Sequence, residues 1–154
     1  MRVKTSGIAA CFVMMIVTTS YAADKKVKKS ELPAAVQKAA EEQSSGATVV
    51  GYATEQEKGQ TLYEVRLRSN GHSKDVSMDA SGKVLEIEEE VAFDSFAPGV
   101  QKGLAAAAAK GKLGKVESLT KGGKLVAYEA VVVTNGKRSE VQVGPSGEKL
   151  SHEE

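Results

Sequence analysis

His72 and His152 are the only histidines of this 154-residue chain, and Cys11 is its only cysteine. Metal centres and nucleophile–base pairs are usually assembled from such side chains, yet none of these stands at ligand spacing from another. His72 adjoins a hairpin signal and His152 lies two residues before the last one, so both read as solvent-exposed. Asp79-x-Ser81-Gly82 has the opening of a calcium loop without most of its oxygen ligands. The related Gly144-Pro145-Ser146-Gly147 lacks even the first carboxylate. Both read as turns. No serine lies in a nucleophile-elbow pattern, and Gly122-Gly123 reads as a hairpin loop, not a phosphate cradle. The acidic run Glu86, Glu88, Glu89, Glu90 could meet a cation or a basic partner. Alternation puts two of these on a solvent face, so the run reads as a charged edge strand that resists aggregation. With no nucleophile, base or metal set in view, the sequence predicts a non-enzymatic protein with no cofactor.

The first residues carry a different kind of information. Arg2 and Lys4 precede an apolar run from Ile8 to Val17, and small residues follow at Ser20 and Ala22. That order describes a secretory signal peptide over residues 1–22, cut between Ala22 and Ala23. The apolar run is far shorter than the ~20 residues a spanning helix needs, so no membrane anchor is expected after cleavage. Cys11 leaves with the leader, and the exported chain has no thiol or disulfide chemistry. Arg2 and Lys4 leave too, which takes 21 basic residues to 19 against 20 acidic ones, a net charge of −1. Such a balance gives no basis for nucleic-acid binding. Residues 23–29, with Lys25, Lys26, Lys28 and Lys29, read as a flexible basic tail.

The remaining sequence is organised as a unit written twice. Tyr63-Glu64 recurs as Tyr128-Glu129, Asn70-Gly71 as Asn135-Gly136, Ser81-Gly82 as Ser146-Gly147 and Leu85 as Leu150, each 65 residues on. Ser30 and Pro33 open a first helix, with Ser30 as its cap, and Ser95 and Pro98 open a second. Leu32, Ala35, Val36, Ala39 and Ala40 form an apolar stripe on the first, and the second is expected to bury Phe96, Val100, Leu104, Ala107 and Ala108. Strands are predicted over 47–55, 61–69, around Val76 and Met78, and around Leu85 and Ile87. The second set falls at 115–121, 124–134, 138–143 and 148–151. Asn70-Gly71 and Asn135-Gly136 are tight-hairpin dipeptides. The fold class is therefore α+β, two tandem repeats over 30–91 and 92–154. Each is one helix followed by a three- to four-stranded antiparallel sheet. A unit of about 60 residues is marginal alone, so the two are expected to pack together or to join sheets edge to edge.

Leu62-Tyr63-Glu64-Val65, Asn70-Gly71 and Asp79-Ala80-Ser81-Gly82-Lys83-Val84-Leu85-Glu86 resemble the PepSY domain. The resemblance is strong over 30–90 and looser over 95–154, where Gly144-Pro145 departs from the first copy. It implies a fold similar to β-lactamase inhibitory protein and a protein-binding or peptidase-restraining role without enzyme activity. It carries over no functional residues. The expected partner is another secreted or periplasmic protein, with peptidases the class the resemblance suggests. The alternative is a cell-envelope protein that binds a small ligand or cation through its acidic face.

Period-2 alternation puts Glu64, Arg66 and Arg68 on the face away from the first helix, and Glu129, Val131 and Val133 at the matching places of the second unit. A strand apolar on both sides needs cover from the other repeat, a second copy or a partner. The sequence thus predicts a docking face with an apolar centre at Val131 and Val133 and a charged rim at Arg66 and Arg68.

Overall fold

A computed structural model of the protein describes residues 25–57, 59–152 and 154. The leader and its cut at Ala22 and Ala23 lie outside the described residues. Eight strands form one antiparallel sheet in strict chain order: β1 Lys25–Val27, β2 Thr48–Glu57, β3 Gln60–Ser69, β4 His72–Met78, β5 Val84–Glu90, β6 Lys112–Lys121, β7 Lys124–Thr134 and β8 Lys137–Val143. Helix α1, Ala34–Gln43, precedes β2, and α2, Pro98–Ala108, precedes β6. Every pairing joins neighbours in sequence, as short strands linked by tight turns dictate. The halves meet edge to edge, through β5 and β6, from Glu86↔Lys121 to Glu90↔Glu117.

Both helices lie on one face. Ile87 packs with the α1 core of Val36, Val65, Leu67, Val76 and Met78. It stands opposite Thr120; two residues along β6, Ser118 stands opposite Tyr128, and Tyr128 packs with the α2 core of Phe96, Val100 and Leu104. Directly opposed residues share a face, so the chain of contacts crosses the sheet without changing sides.

Several expectations need correction. Residues 25–27 are not a loose tail: Lys25, Lys26 and Val27 pair with Thr54, Ala53 and Tyr52 as an edge strand. Backbone bonding to β2 outweighs the charge of the lysines, which still point outward at the edge. Ser30 caps no helix. It sits in a 3-10 turn, Lys29–Glu31, and α1 starts only after Pro33. The cause is Pro33 itself, which holds Leu32 extended at ψ 148°. A 3-10 turn at Phe93–Ser95 repeats the arrangement ahead of Pro98. No side chain caps either helix, and the chain leading into each is held from within it: Gln37 Nε2 donates to the Leu32 carbonyl at 2.9 Å, and Gln101 Nε2 to the Phe96 carbonyl at 2.9 Å. The loop expected over 56–60 is shorter, because β2 runs on to Glu57 and β3 starts at Gln60. Residues 148–151 form no strand, only an isolated bridge between Val143 and Lys149.

The repeated Ser-Gly turns have a packing reason. A Cβ on Gly82 would stand 2.6 Å from the Ala35 carbonyl oxygen, and one on Gly147 2.2 Å from that of Gly99. Each turn is pressed against the first turn of its helix, and both glycines have positive φ, 81° and 88°.

Candidate functional site

The helices leave the other face of the sheet bare. Among the described residues no helix packs there, and its side chains form continuous rows across the strands. The middle row runs Arg66, Asp75, Glu88, Leu119, Ala127 from β3 to β7. On one side of it lies Glu64, Ser77, Glu86, Lys121. On the other, Glu90, Glu117, Glu129 and Gln142 run from β5 to β8. Seven carboxylates therefore share the face: Asp75, Glu86, Glu88, Glu117 and Glu129 in its middle, with Glu64 and Glu90 at its margins.

Most of these carboxylates have partners. Arg66 pairs with Glu64, Lys121 reaches Glu86 at 3.2 Å, and Lys115 reaches Glu117 at 2.7 Å. Gln142 Nε2 donates to Glu129 at 2.8 Å. Glu117 is 7% exposed, and its pairing with Lys115 is what makes that burial tolerable. Burial works against the Lys115 charge, but the bond and charge of Glu117, with Asp75 and Glu88 beside it, outweigh burial and raise its pKa. Ser73 holds Glu90 with its backbone N–H and hydroxyl at 3.0 and 3.1 Å, which lowers the Glu90 pKa.

Asp75 and Glu88 differ. They are directly opposed on β4 and β5, partly buried, and no hydrogen bond or ion pair holds either one among the described residues. Desolvation pushes Glu88 up to about 8, helped by the charges of Glu117, Glu129, Glu86 and Asp75. Asp75 rises to about 6, again through desolvation first and Glu64 next, with Arg66 pulling the other way. Desolvation also raises Glu129, against its bond to Gln142. The centre of the face thus holds more negative charge than its own cations neutralise.

All six sequence-predicted side chains lie on this face, but in two separate groups. Glu64, Arg66 and Arg68 are on β3, and Glu129, Val131 and Val133 are on β7. Three strands intervene, so the groups are about 19 Å apart at ordinary strand spacing. The centre between them is carboxylate, not apolar. Val131 stands opposite Glu140, and Val133, 41% exposed, opposite Arg138 at one end of β7. The valines are thus not packed between the halves, because the halves join by an edge and neither covers the other. The acidic run of β5, expected at a solvated edge, is not at one. It lies in the interior of an eight-stranded sheet, between β4 and β6. Nothing in the sequence singles out Asp75 or Glu117, and Glu88 stands there as one member of the acidic run. Alternation with Val76, Ile87 and Val116 marks the face of each, but only the β5–β6 junction brings them together.

His72 and His152 are exposed, and no group of three metal-ligating side chains occurs among the described residues. No described helix is long and apolar enough to cross a membrane.

These features define an α+β protein with a single antiparallel sheet, helices on one side and a charged open face on the other. Residues 33–88 match the family model of the PepSY domain, described as peptidase propeptide and YPEB domain. Solved structures with the same fold include a DUF2874-family protein from Bacteroides ovatus, 19% identical, TM-score 0.61, covering 78% of this chain and 85% of that one. A BLIP-like protein from Bacteroides fragilis is 21% identical, TM-score 0.57, over 75% and 81% of the two chains. A protein of Bacteroides eggerthii, provisionally assigned to the periplasm, is 20% identical, TM-score 0.63, over 77% and 86%. The chain is PepSY-like and BLIP-like in fold. No curated protein matches it.

Proposed function

We propose that this is an exported, non-enzymatic binding module that docks another secreted or periplasmic protein on the helix-free face of its sheet. The leader over residues 1–22 supports export. The 65-residue spacing of matched turns supports reading the two halves, 30–91 and 92–154, as tandem PepSY-like repeats. The observation that carries the docking reading is the opposed pair Asp75 and Glu88, partly buried at the centre of an open face with no cation of their own. A lysine or arginine from a partner would pair with both carboxyls, favour their charged forms and draw their raised pKa values down. The centre proposed to bind is therefore acidic, with Arg66, Arg68, Val131 and Val133 at its two flanks. The family's description as a peptidase propeptide supports a secreted peptidase as the partner class.

Capture from a periplasmic extract tests this, with the wild-type chain beside Glu88→Lys and Asp75→Lys. Loss of one captured protein in both variants, with the melting temperature held or raised, is expected. Undiminished capture sends the docking site elsewhere. A calorimetric response to calcium or magnesium that Glu88→Gln abolishes, with no protein captured, replaces docking by cation binding.

A further inference from the structure

The two halves of the sheet end differently. After β4 the chain turns through Asp79–Gly82 and returns as β5, which pairs with β4 from Met78↔Val84 to Lys74↔Glu89. After β8 it turns at the matching place, with Gly144 N–H donating to the Glu148 carbonyl at 2.8 Å. It then begins the same return, for Val143 pairs with Lys149 as Met78 does with Val84. There the pairing stops. Among the described residues no strand lies along the outer edge of β8 from Lys137 to Gln142. At the opposite edge of the sheet, β1 covers Tyr52–Thr54 in the middle of β2. β8 presents the six residues from Lys137 to Gln142 as a template of unpaired backbone groups, and at its end the Glu154 N–H donates to the Gln142 side chain at 2.8 Å.

The space beneath this edge is also open. A cavity of about 560 Å³ lies between α2 and the returning segment, lined by Gly103, Ala106, Ala107, Val143, Leu150 and His152 among others. In the first half Val84 and Ile87 pack into the core of α1. The residues 65 positions on from them are Lys149 and His152, both exposed. Where α1 carries Glu42 and Gln43, the matched positions of α2, 64 residues on, are Ala106 and Ala107. The second half thus lacks the strand and the two apolar side chains that close the first.

The charges of the edge favour one kind of occupant. Lys137 and Arg138 are exposed on the open part of β8 and Lys149 lies at the cavity mouth, while Glu140 is tied to Arg138 at 3.1 Å. The strand that fills the matching place in the first half, β5, carries Glu86, Glu88, Glu89 and Glu90. We propose that β8 and α2 together take an extended acidic segment of a partner protein. It adds as a ninth strand and seats an apolar side chain against Ala106 and Ala107. Main-chain bonding to the edge supplies affinity, and the cavity selects the residue that enters it. This site is at the opposite edge of the sheet from β3 and does not depend on docking at the helix-free face.

The probe is a synthetic peptide with the sequence of residues 83–90, the segment that completes the first half. Backbone amide exchange is measured on the full exported chain. The peptide is expected to slow exchange at alternate amides between Lys137 and Gln142, saturably, and a scrambled peptide to leave them unchanged. Arg138→Glu and Ala107→Glu, both at exposed positions, should each weaken binding roughly fivefold or more. Should Ala107→Glu fail to fold, Arg138→Glu still decides. No protection at high peptide concentration, or equal protection by the scrambled peptide, overturns the proposal. So does protection that is present without peptide and vanishes on dilution, which makes a second copy the occupant. Binding only to a chain ending at Leu150 overturns it too, because the protein's own last residues then hold the edge.

Discussion

Asp75 and Glu88 stand directly opposite each other on adjacent strands, on the helix-free face, and among the described residues no ion pair holds either one. Like charges in that position destabilise a sheet. The fold lessens the conflict by holding the carboxyls protonated further up the pH scale, near 6 for Asp75 and 8 for Glu88.

The sign of the pH dependence follows. Between the ordinary carboxylate pKa and the raised folded values, the folded chain binds more protons than the unfolded one. Stability therefore falls as pH rises from about 4.5 to 8. The melting temperature is expected to drop over this range, and Glu88→Gln to flatten the slope. At pH 9 the variant should be more stable than the wild type by on the order of 1 kcal/mol, after allowance for partial exposure; at pH 4 the two should match. A wild-type melting temperature that rises from pH 5 to 9 contradicts this account.

Gly82 and Gly147 admit no side chain. Alanine at either place meets a helix-start carbonyl at 2.6 or 2.2 Å and adopts positive φ. Gly82→Ala and Gly147→Ala should each cost about 2–4 kcal/mol, read by urea unfolding. Gly71→Ala, with open space around its Cβ position, should cost only the backbone strain, about 1 kcal/mol.

Val36 and Leu104 are fully buried, one against each half of the sheet. Because β5 and β6 are hydrogen-bonded neighbours, the halves should unfold together. Val36→Ala and Leu104→Ala are each expected to lower one shared transition by about 2–4 kcal/mol. Two calorimetric transitions, each shifted by only one of the substitutions, would mean that the junction does not couple them.

Val131→Thr with Val133→Thr should leave the melting temperature within a few degrees of wild type. Val133 is 41% exposed and Val131 only partly buried, so little apolar area is lost. If capture of a partner falls in this double variant while Glu88→Lys is silent, docking centres on the β7 end of the face.

The exported chain is expected to begin at Ala23, two residues before β1 pairs with β2. N-terminal sequencing of periplasmic or secreted material checks it. A start at Met1 on membrane-held protein would remove the argument for export.

Local rules reached far into this structure. Asn70-Gly71 and Asn135-Gly136 both take positive φ, as tight hairpins require, and the alternation of Tyr63, Val65 and Leu67 with Glu64, Arg66 and Arg68 assigned both faces of β3 correctly. These features depend on neighbours in sequence, and so sequence shows them. Proline's effect on the preceding residue is equally local, and at Leu32 it overrides the capping tendency of Ser30. The strand at Lys25–Val27 was hidden because a lysine-rich run has no hydrophobic period to reveal it; its partner, β2, supplies the reason to pair.

Sequence was enough for the order of the two helices and of β2 to β8, for the repeated turns and for the two faces of β3, but it showed neither β1 nor the loss of a strand at 148–151. Tertiary structure alone decided that β5 is an interior strand. That single pairing with β6 places Asp75 and Glu88 of one half beside Glu117 and Glu129 of the other. Alternation specifies which way a side chain points along its own strand, but the backbone bonds between edges decide which strands are neighbours, and those bonds carry no side-chain signature. The shifted carboxylates arise from that proximity and the desolvation it brings, so they exist only in the folded sheet.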